Sequence, residues 1–234
     1  MTDSQTDQTD DRHLLGVSDV AAELLDDWRW LLGGLHARFA TGDFATGLRL
    51  VEAIGAAAEA ADHHPDIDLR YPFVQVSLRS HDVGGVTQRD VRLAREITDA
   101  AGRLGASADV ASLSLLELGL DTAAHEDIRP FWAAVLGIEI GDPDDEVRDG
   151  AGLLPTVWFQ AAPTATQPSD QRWHLDITVA PEIAEQRVQA ALEAGGTLVS
   201  DARRPSFWVL ADAQGNQACI CTPLGRTETV PVDD

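Results

Sequence analysis

Three histidines lie close enough along the chain to share a proton-transfer site: His63, the adjacent His64 ahead of Pro65, and His81. Imidazole has an unperturbed pKa of about 6.5, so it can both give and take a proton near neutral pH. Together the three point to acid/base chemistry, although any one alone would read as a polar residue satisfied at the end of an element. Glu59 precedes His63 by one helical turn, where a carboxylate can orient the imidazole or raise its pKa. Asp90 opens a later helix, a place where the helix dipole favours negative charge. A three-histidine zinc site is the competing chemistry, but adjacent histidines on a helix diverge and the usual H-x-x-x-H chelate is missing. The other histidines, His13, His36, His125 and His174, fall outside this group.

Elements able to position these groups follow from apolar spacing. Ser18 is placed to cap a helix running to about Leu25, and residues 28–39 read as two short strands around the Gly33-Gly34 turn. Asp43 caps an amphipathic helix to about Asp62, with Leu48, Val51, Ile54 and Ala58 at helical spacing, and Pro65 ends it. Alternation over 67–71 and 73–78 gives two strands joined at Pro72, leading to His81 and the flexible Asp82-Val-Gly-Gly85. A helix over 87–104 follows, so the first half reads α-β-β-α-β-β-α. The second half reads as two βαβββ units. In the first, a strand over 115–120, a helix over 127–136 and strands at 153–154 and 156–160 precede a polar linker at 163–170. In the second, a strand over 173–179, a helix over 181–194 and strands near 197–199, 207–210 and 218–221 repeat that order. The expected fold class is α+β. The expected domains are an acidic disordered tail at 1–12, a domain at 13–105, a linker at 106–112, a second domain at 113–225 and a C-terminal tail at 226–234.

Composition removes several function classes. The chain of 234 residues carries 39 acidic and 17 basic side chains, a formal charge of −22. A surface this negative, with no basic cluster, repels phosphate backbones and argues against nucleic acid. Every basic residue is arginine, so a Walker-type phosphate lysine and a Schiff-base lysine are excluded. No apolar run approaches the roughly 20 residues of a membrane span, and the first residues resemble neither signal nor transit peptide. A cytoplasmic protein is expected. Cys219 and Cys221, two apart on a strand, read as small core residues rather than a disulfide.

The set Glu59, His63-His64-Pro65, Tyr71, His81 and Asp90, with the flanking text Asp66-Ile-Asp-Leu-Arg-Tyr71 and His81-Asp-Val-Gly-Gly-Val-Thr87, resembles the signature of the pterin-4a-carbinolamine dehydratases over about 17–101. That family's fold has the α-β-β-α-β-β-α order derived above. The resemblance implies removal of water from 4a-hydroxytetrahydrobiopterin, or a related 4a-hydroxytetrahydropterin, to give the quinonoid dihydropterin without metal or organic cofactor. His63, His64 and His81 then line the pterin site, with His64 and His81 as the acid/base pair and His63 positioning the 4a-hydroxyl. Asp90, Glu59 and Tyr71 are the expected substrate-binding neighbours, Asp90 on the ring or orienting a histidine and Glu59 behind the contacting groups. Pro72 departs from the family pattern. Dimers or tetramers of the chain are expected from the same resemblance.

The second half resembles the glyoxalase-like, vicinal-oxygen-chelate superfamily over about 115–223. Its landmarks are Leu118-Gly-Leu-Asp-Thr122, Phe131-Trp-Ala-Ala-Val-Leu-Gly137, Trp173-His-Leu-Asp-Ile-Thr-Val179 and Val209-Leu-Ala-Asp-Ala-Gln-Gly215. Metal-dependent members place ligands on the first and last strands of each unit. Glu117 and His174 fall at first-strand positions; the last-strand positions fall near Phe159 or Gln160 and at Cys219. Two convincing ligands are fewer than the three or four of a retained site, so the expectation is a metal-free small-molecule pocket containing Glu117 and His174. Trp132, Trp158, Trp173 and Trp208 are expected in its core or walls. The alternative for the whole chain is a non-catalytic pterin- or ligand-binding regulatory or dimerisation protein.

Overall fold

The computed structural model describes residues 11–122, 124–126, 129, 133, 138–141, 143–162, 173–193, 195–211 and 217–225. The expected terminal tails beyond these bounds, the helix over 127–136 apart from Arg129 and Ala133, Trp132 and the linker at 163–170 lie outside the described residues. The fold is α+β. Its Cα packing divides it into two compact units, the first ending at Leu113 and the second spanning Ser114–Gly225.

In the first unit the short helix α1 (Val17–Ala22) has Gly16, rather than Ser18, at its N-cap, because Asp19 Oδ2 accepts the Gly16 N–H at 2.9 Å. Strands β1 (Arg29–Leu31) and β2 (Gly34–Ala40) pair antiparallel with Leu31 opposite Gly34. Their turn is Leu32-Gly33, one residue earlier than expected. Both residues have positive φ, as a two-residue hairpin matched to strand twist requires. Helix α2 (Phe44–Ala61) starts at Asp43, whose carboxylate accepts the Thr46 N–H at 2.6 Å, and buries Gly47, Leu50, Ile54 and Ala58 along one stripe. Strands β3 (Asp66–Arg70) and β4 (Phe73–Leu78) form a hairpin whose two-residue turn is Tyr71-Pro72, with a cis peptide bond. The proline therefore costs the sheet no hydrogen bond, since it sits in the turn and not in the ladder. Helix α3 (Gln88–Arg103) then lays Leu93, Ala94, Ile97, Ala100 and Ala101 into the same core.

Residues 106–112, expected as a linker, belong to this unit instead. Strand β5 (Ser107–Ala108) pairs with Phe39 and Ala40 of β2, the Asp109 N–H donates to the Arg38 carbonyl at 2.7 Å, and Leu113 is buried. Ala106 and Ala108 pack on the core, but side chains this small leave no strong apolar periodicity to read. The sheet order is β1-β2-β4-β3, with β5 also on β2. Leu35, Ala37, Phe39, Val74, Val76 and Leu78 alternate onto the helix side.

The second unit contains strands β6 (Ser114–Thr122), β7 (Glu146–Val147), β8 (Val157–Ala161), β9 (Trp173–Val179), β10 (Thr197–Arg203), β11 (Phe207–Ala211) and β12 (Gln217–Cys221). They form one sheet in the order β10-β11-β12-β9-β6-β8-β7. The first and last strands of each half run parallel, β6 with β8 and β9 with β12, while β6 and β9 pair antiparallel at the junction. Residues 153–154, expected as a strand, form a turn in which their N–H groups donate to Asp149 Oδ2, and both leucines are exposed. Helix α4 (Pro181–Glu193) packs Ala184 and Val188 against Val179, Trp208, Leu210 and Ile220. With period-two alternation this puts Glu117, Gly119, Asp121, Trp158, His174, Asp176, Cys219 and Cys221 on the opposite face.

Candidate functional site

Helix α2 ends in a way that decides where its two histidines go. Asp62 adopts the left-handed conformation (φ 49°, ψ 41°), its N–H reaching the Glu59 carbonyl while the His63 N–H reaches the Ala58 carbonyl at 3.1 Å. This is a Schellman closure, and it turns the chain off the helix before His63. His63 therefore does not share a helical face with Glu59. Its Nε2 lies 2.7 Å from Asp90 Oδ1, in a contact where His63 is 7% and Asp90 0% exposed. Glu59 meets His64 instead, Oε1 to Nε2 at 3.2 Å, on the exposed side.

Asp90 is the hub of this end of the domain. Its Oδ2 accepts the Ser80 hydroxyl and the Thr87 N–H, both at 2.7 Å, and lies 3.3 Å from the Thr87 hydroxyl, itself 2.8 Å from Ser80 Oγ. Thr87 and Asp90 form the capping box of α3, so one carboxylate both starts that helix and holds His63. Burial works to raise the Asp90 pKa, but the hydrogen bonds from His63, the Thr87 amide and Ser80 outweigh it and hold the carboxyl below its ordinary value. An ionised carboxylate only accepts, so His63 Nε2 carries the hydrogen, and in the neutral tautomer that this contact selects the lone pair is on Nδ1. Both Asp90 oxygens are thus enclosed, Oδ1 by His63 and Oδ2 by Ser80 and Thr87.

His81 follows Ser80 directly, in an exposed turn closed by the Ser80 N–H on the Gly85 carbonyl at 2.8 Å. Arg89 pins that turn through Asp82, Nη2 to Oδ1 at 2.7 Å, and its guanidinium keeps the Asp82 carboxyl below the usual range. His63 and His64 enter β3 and His81 leaves β4, so all three stand at one end of the hairpin, linked through Ser80 and Asp90. Tyr71 is at the other end, 70% exposed and a five-residue strand away, about 17 Å at strand rise. The protomer does not bring Tyr71 to the histidines.

In the second unit His174 lies against Gly119 on the neighbouring strand, where a Cβ would fall 2.4 Å from the imidazole Nε2. Trp158 meets the ring edge-on, with centroids 5.5 Å apart. Two carboxylates flank it: Asp121 Oδ1 is 3.5 Å from Nδ1, and Asp176 Oδ1 is 3.6 Å from Nε2. Glu117 lies opposite Asp176 in the register.

Family comparisons fit this geometry. A model described as pterin 4 alpha carbinolamine dehydratase matches residues 14–100, and one described as a glyoxalase-like domain matches 117–221. A protein of Aquifex aeolicus, provisionally named a pterin-4-alpha-carbinolamine dehydratase, is 36% identical over 87 residues, spanning 36% of this chain and 88% of its own. The chain belongs to the pterin-4-alpha-carbinolamine dehydratase family. A Mycobacterium avium protein with the same provisional name is 39% identical over 84 residues, spanning 36% of this chain and 89% of its own. The crystal structure of a transcriptional coactivator/pterin dehydratase from Brucella melitensis covers 38% of this chain and all of its own, at 31% identity and TM-score 0.37.

Of the residues the sequence singled out, the dehydratase-like domain gathers His63, His64, His81, Glu59 and Asp90 at one end and leaves Tyr71 apart. Sequence reasoning missed Ser80, Thr87, Asp121 and Asp176. The run Thr87-Gln-Arg-Asp90 carries the signal for the second of these, an N-cap followed three residues later by a carboxylate. Asp176, two residues from His174 on a strand, is marked by the shared face that period two imposes.

Proposed function

We propose that the first domain removes water from a 4a-hydroxytetrahydropterin to give the quinonoid dihydropterin. The observation that carries this reading is the buried Asp90–His63 pair at 2.7 Å, beside two exposed histidines at one end of the β3–β4 hairpin. In the reaction N5 loses its proton, the C4a–O bond breaks, and the departing hydroxyl leaves as water once protonated. One imidazole takes the N5 proton and another supplies the proton to the hydroxyl, so neither electrons nor a cofactor enter the balance. His64 and His81, both open to solvent, serve as this pair and exchange protons with water between turnovers. His63, held by Asp90 with its Nδ1 lone pair outward from that contact, accepts from the 4a-hydroxyl and positions it. Glu59 sits behind His64, its Oε1 3.2 Å from Nε2, and orients that imidazole when the two are in contact.

The glyoxalase-like domain supplies a separate small-molecule pocket, and the chain works as a homo-oligomer. Among the described residues no helix is long and apolar enough to cross a membrane. The test is the rate of water loss from freshly generated 4a-hydroxytetrahydropterin. His64→Ala and His81→Ala are each expected to lower kcat by about 10²–10⁴-fold, the usual worth of general acid or base catalysis. Unchanged rates in both variants would remove the assignment.

A further inference from the structure

The metal that the vicinal-oxygen-chelate resemblance implies calls for ligands on the first and last strands of both halves of the second sheet, and the last strand of the first half provides none. Phe159 is buried on the helix side, and Gln160 is exposed with an amide instead of a charged donor. A different set has come together. His174, Asp176 and Cys219 each present a donor atom, and the three atoms lie within 4.8 Å of one another. All three belong to the second half alone, His174 and Asp176 on β9 and Cys219 beside Asp176 on β12.

We infer that His174, Asp176 and Cys219 bind a divalent transition-metal ion of the zinc class, with Asp176 taking the place of the last-strand ligand the first half lacks. The observation that points to a ligand is Asp176 itself. It is 4% exposed, and its Oδ1 is buried without a hydrogen-bond partner, aimed at His174 Nε2 from 3.6 Å. A buried carboxylate oxygen left unpaired carries a large desolvation cost that a cation would offset. The 3.6 Å separation is close to the roughly 3.4 Å edge of a tetrahedron with zinc-ligand bonds near 2.0–2.1 Å.

The surroundings match as well. Asp121 Oδ1, also buried and unpaired, lies 3.5 Å from the far nitrogen of His174, where a carboxylate fixes the tautomer of a metal-bound imidazole. Gly119 gives the ring its room. A nitrogen, oxygen and sulfur donor set suits zinc better than magnesium or calcium. Binding would replace the Cys219 S–H by a metal–thiolate bond and release that proton to solvent. Three protein donors leave one position open, as in zinc sites that act on a ligand.

The experiment uses the full chain freed of metal by a chelator, titrated with zinc by calorimetry and with cobalt(II) by absorption. One equivalent of each is expected, with a near-ultraviolet thiolate-to-cobalt charge-transfer band in the wild type. Cys219→Ser should abolish the band, Asp176→Asn should weaken cobalt binding at least about tenfold, and Asp121→Asn should weaken it by about 10–100-fold as an outer partner. Thermal unfolding checks that each variant folds; the wild-type band decides the matter even if one does not. Absence of stoichiometric binding, a cobalt complex without the thiolate band, or undiminished affinity in folded Asp176→Asn would each overturn the assignment. None of these readouts depends on the pterin reaction.

Discussion

Asp90→Asn separates the charge of the Asp90 hub from its shape. Contacts of 2.7 Å reach the carboxylate from His63, Ser80 and the Thr87 amide. A hydrogen bond to a charged group contributes about 1.5–3 kcal/mol and a neutral one about 0.5–1.5 kcal/mol. Each contact therefore weakens by about 1 kcal/mol, for a gross loss of about 3 kcal/mol. Relief from burying a charge offsets part of this. The carboxyl nevertheless sits below its ordinary pKa, so the contacts outweigh the desolvation, and a net cost of about 2 kcal/mol is expected at neutral pH. An amide oxygen kept on Ser80 and Thr87 turns its NH2 toward His63 Nε2, which must then accept. The hydrogen moves to Nδ1, and the nitrogen proposed to accept from the 4a-hydroxyl becomes a donor.

The pH dependence has a definite sign. A carboxyl whose folded pKa is depressed contributes stability above its unfolded value of about 3.9, and that contribution disappears as pH falls through the lower folded value. The gap between wild type and Asp90→Asn, measured by urea unfolding, should be about 2 kcal/mol near pH 7 and shrink below about pH 4. Nitrogen-15 spectra of the imidazoles should show His63 changing tautomer, and kcat should drop by about 10²-fold or more. Equal stability at neutral pH, a gap that persists on acidification, or an unchanged His63 tautomer would refute the reasoning.

Other substitutions probe the frame around the site. Loss of water around half-buried His36 on β2 depresses its pKa to about 4, against a weaker opposing effect of the Leu31 carbonyl. Between about pH 6.5 and 4 the unfolded chain then binds a proton the folded one does not, so wild-type stability should fall by up to about 3 kcal/mol over that window. His36→Leu should flatten this fall in denaturant titrations at stepped pH. Asp62→Val places a β-branched residue in a left-handed conformation and should cost about 1–2 kcal/mol in thermal or urea unfolding, with Asp62→Gly neutral or stabilising. Gly47→Ala would put a Cβ 2.6 Å from Leu69 Cδ1; that methyl ends a half-buried side chain that can turn aside, and alanine gains about 1 kcal/mol of helix propensity, so urea unfolding should show a net change of less than about 1 kcal/mol.

What the sequence conveyed depended on the range of the interaction. The stripe Leu50, Ile54, Ala58 and the alternation through Val74, Val76 and Leu78 are local patterns, and the corresponding helix and strand stand where the spacing puts them. The partner of His63 was hidden for two reasons. Helical spacing to Glu59 holds only while the helix continues, and Asp62 ends it with a left-handed residue that carries no glycine signal. The true partner is 27 residues away, brought in by the capping geometry of α3. Strand β5 was invisible because its two residues pair through backbone groups, and a Gly/Ala/Ser stretch offers no side-chain pattern to detect.

The two units use the same residue types in opposite states of satisfaction, and that difference separates their chemistry. In the first, Asp90 has donors on both oxygens, so its charge is fully engaged and its effect is to fix one imidazole nitrogen as a donor and leave the other to accept. That is the arrangement the proposed dehydration uses. In the second, His174 stands between Asp121 and Asp176 at 3.5 and 3.6 Å, too long for strong hydrogen bonds, and each facing oxygen is buried without a partner. Hydrogen bonding by the imidazole alone would need both separations to shorten and would leave Cys219 out of the contact. A divalent ion between His174, Asp176 and Cys219 shortens the separations and pairs the Asp176 oxygen at once, with Asp121 free to hold the outer imidazole nitrogen. Cobalt absorption discriminates the two cases, because only the metal brings the Cys219 sulfur into the spectrum.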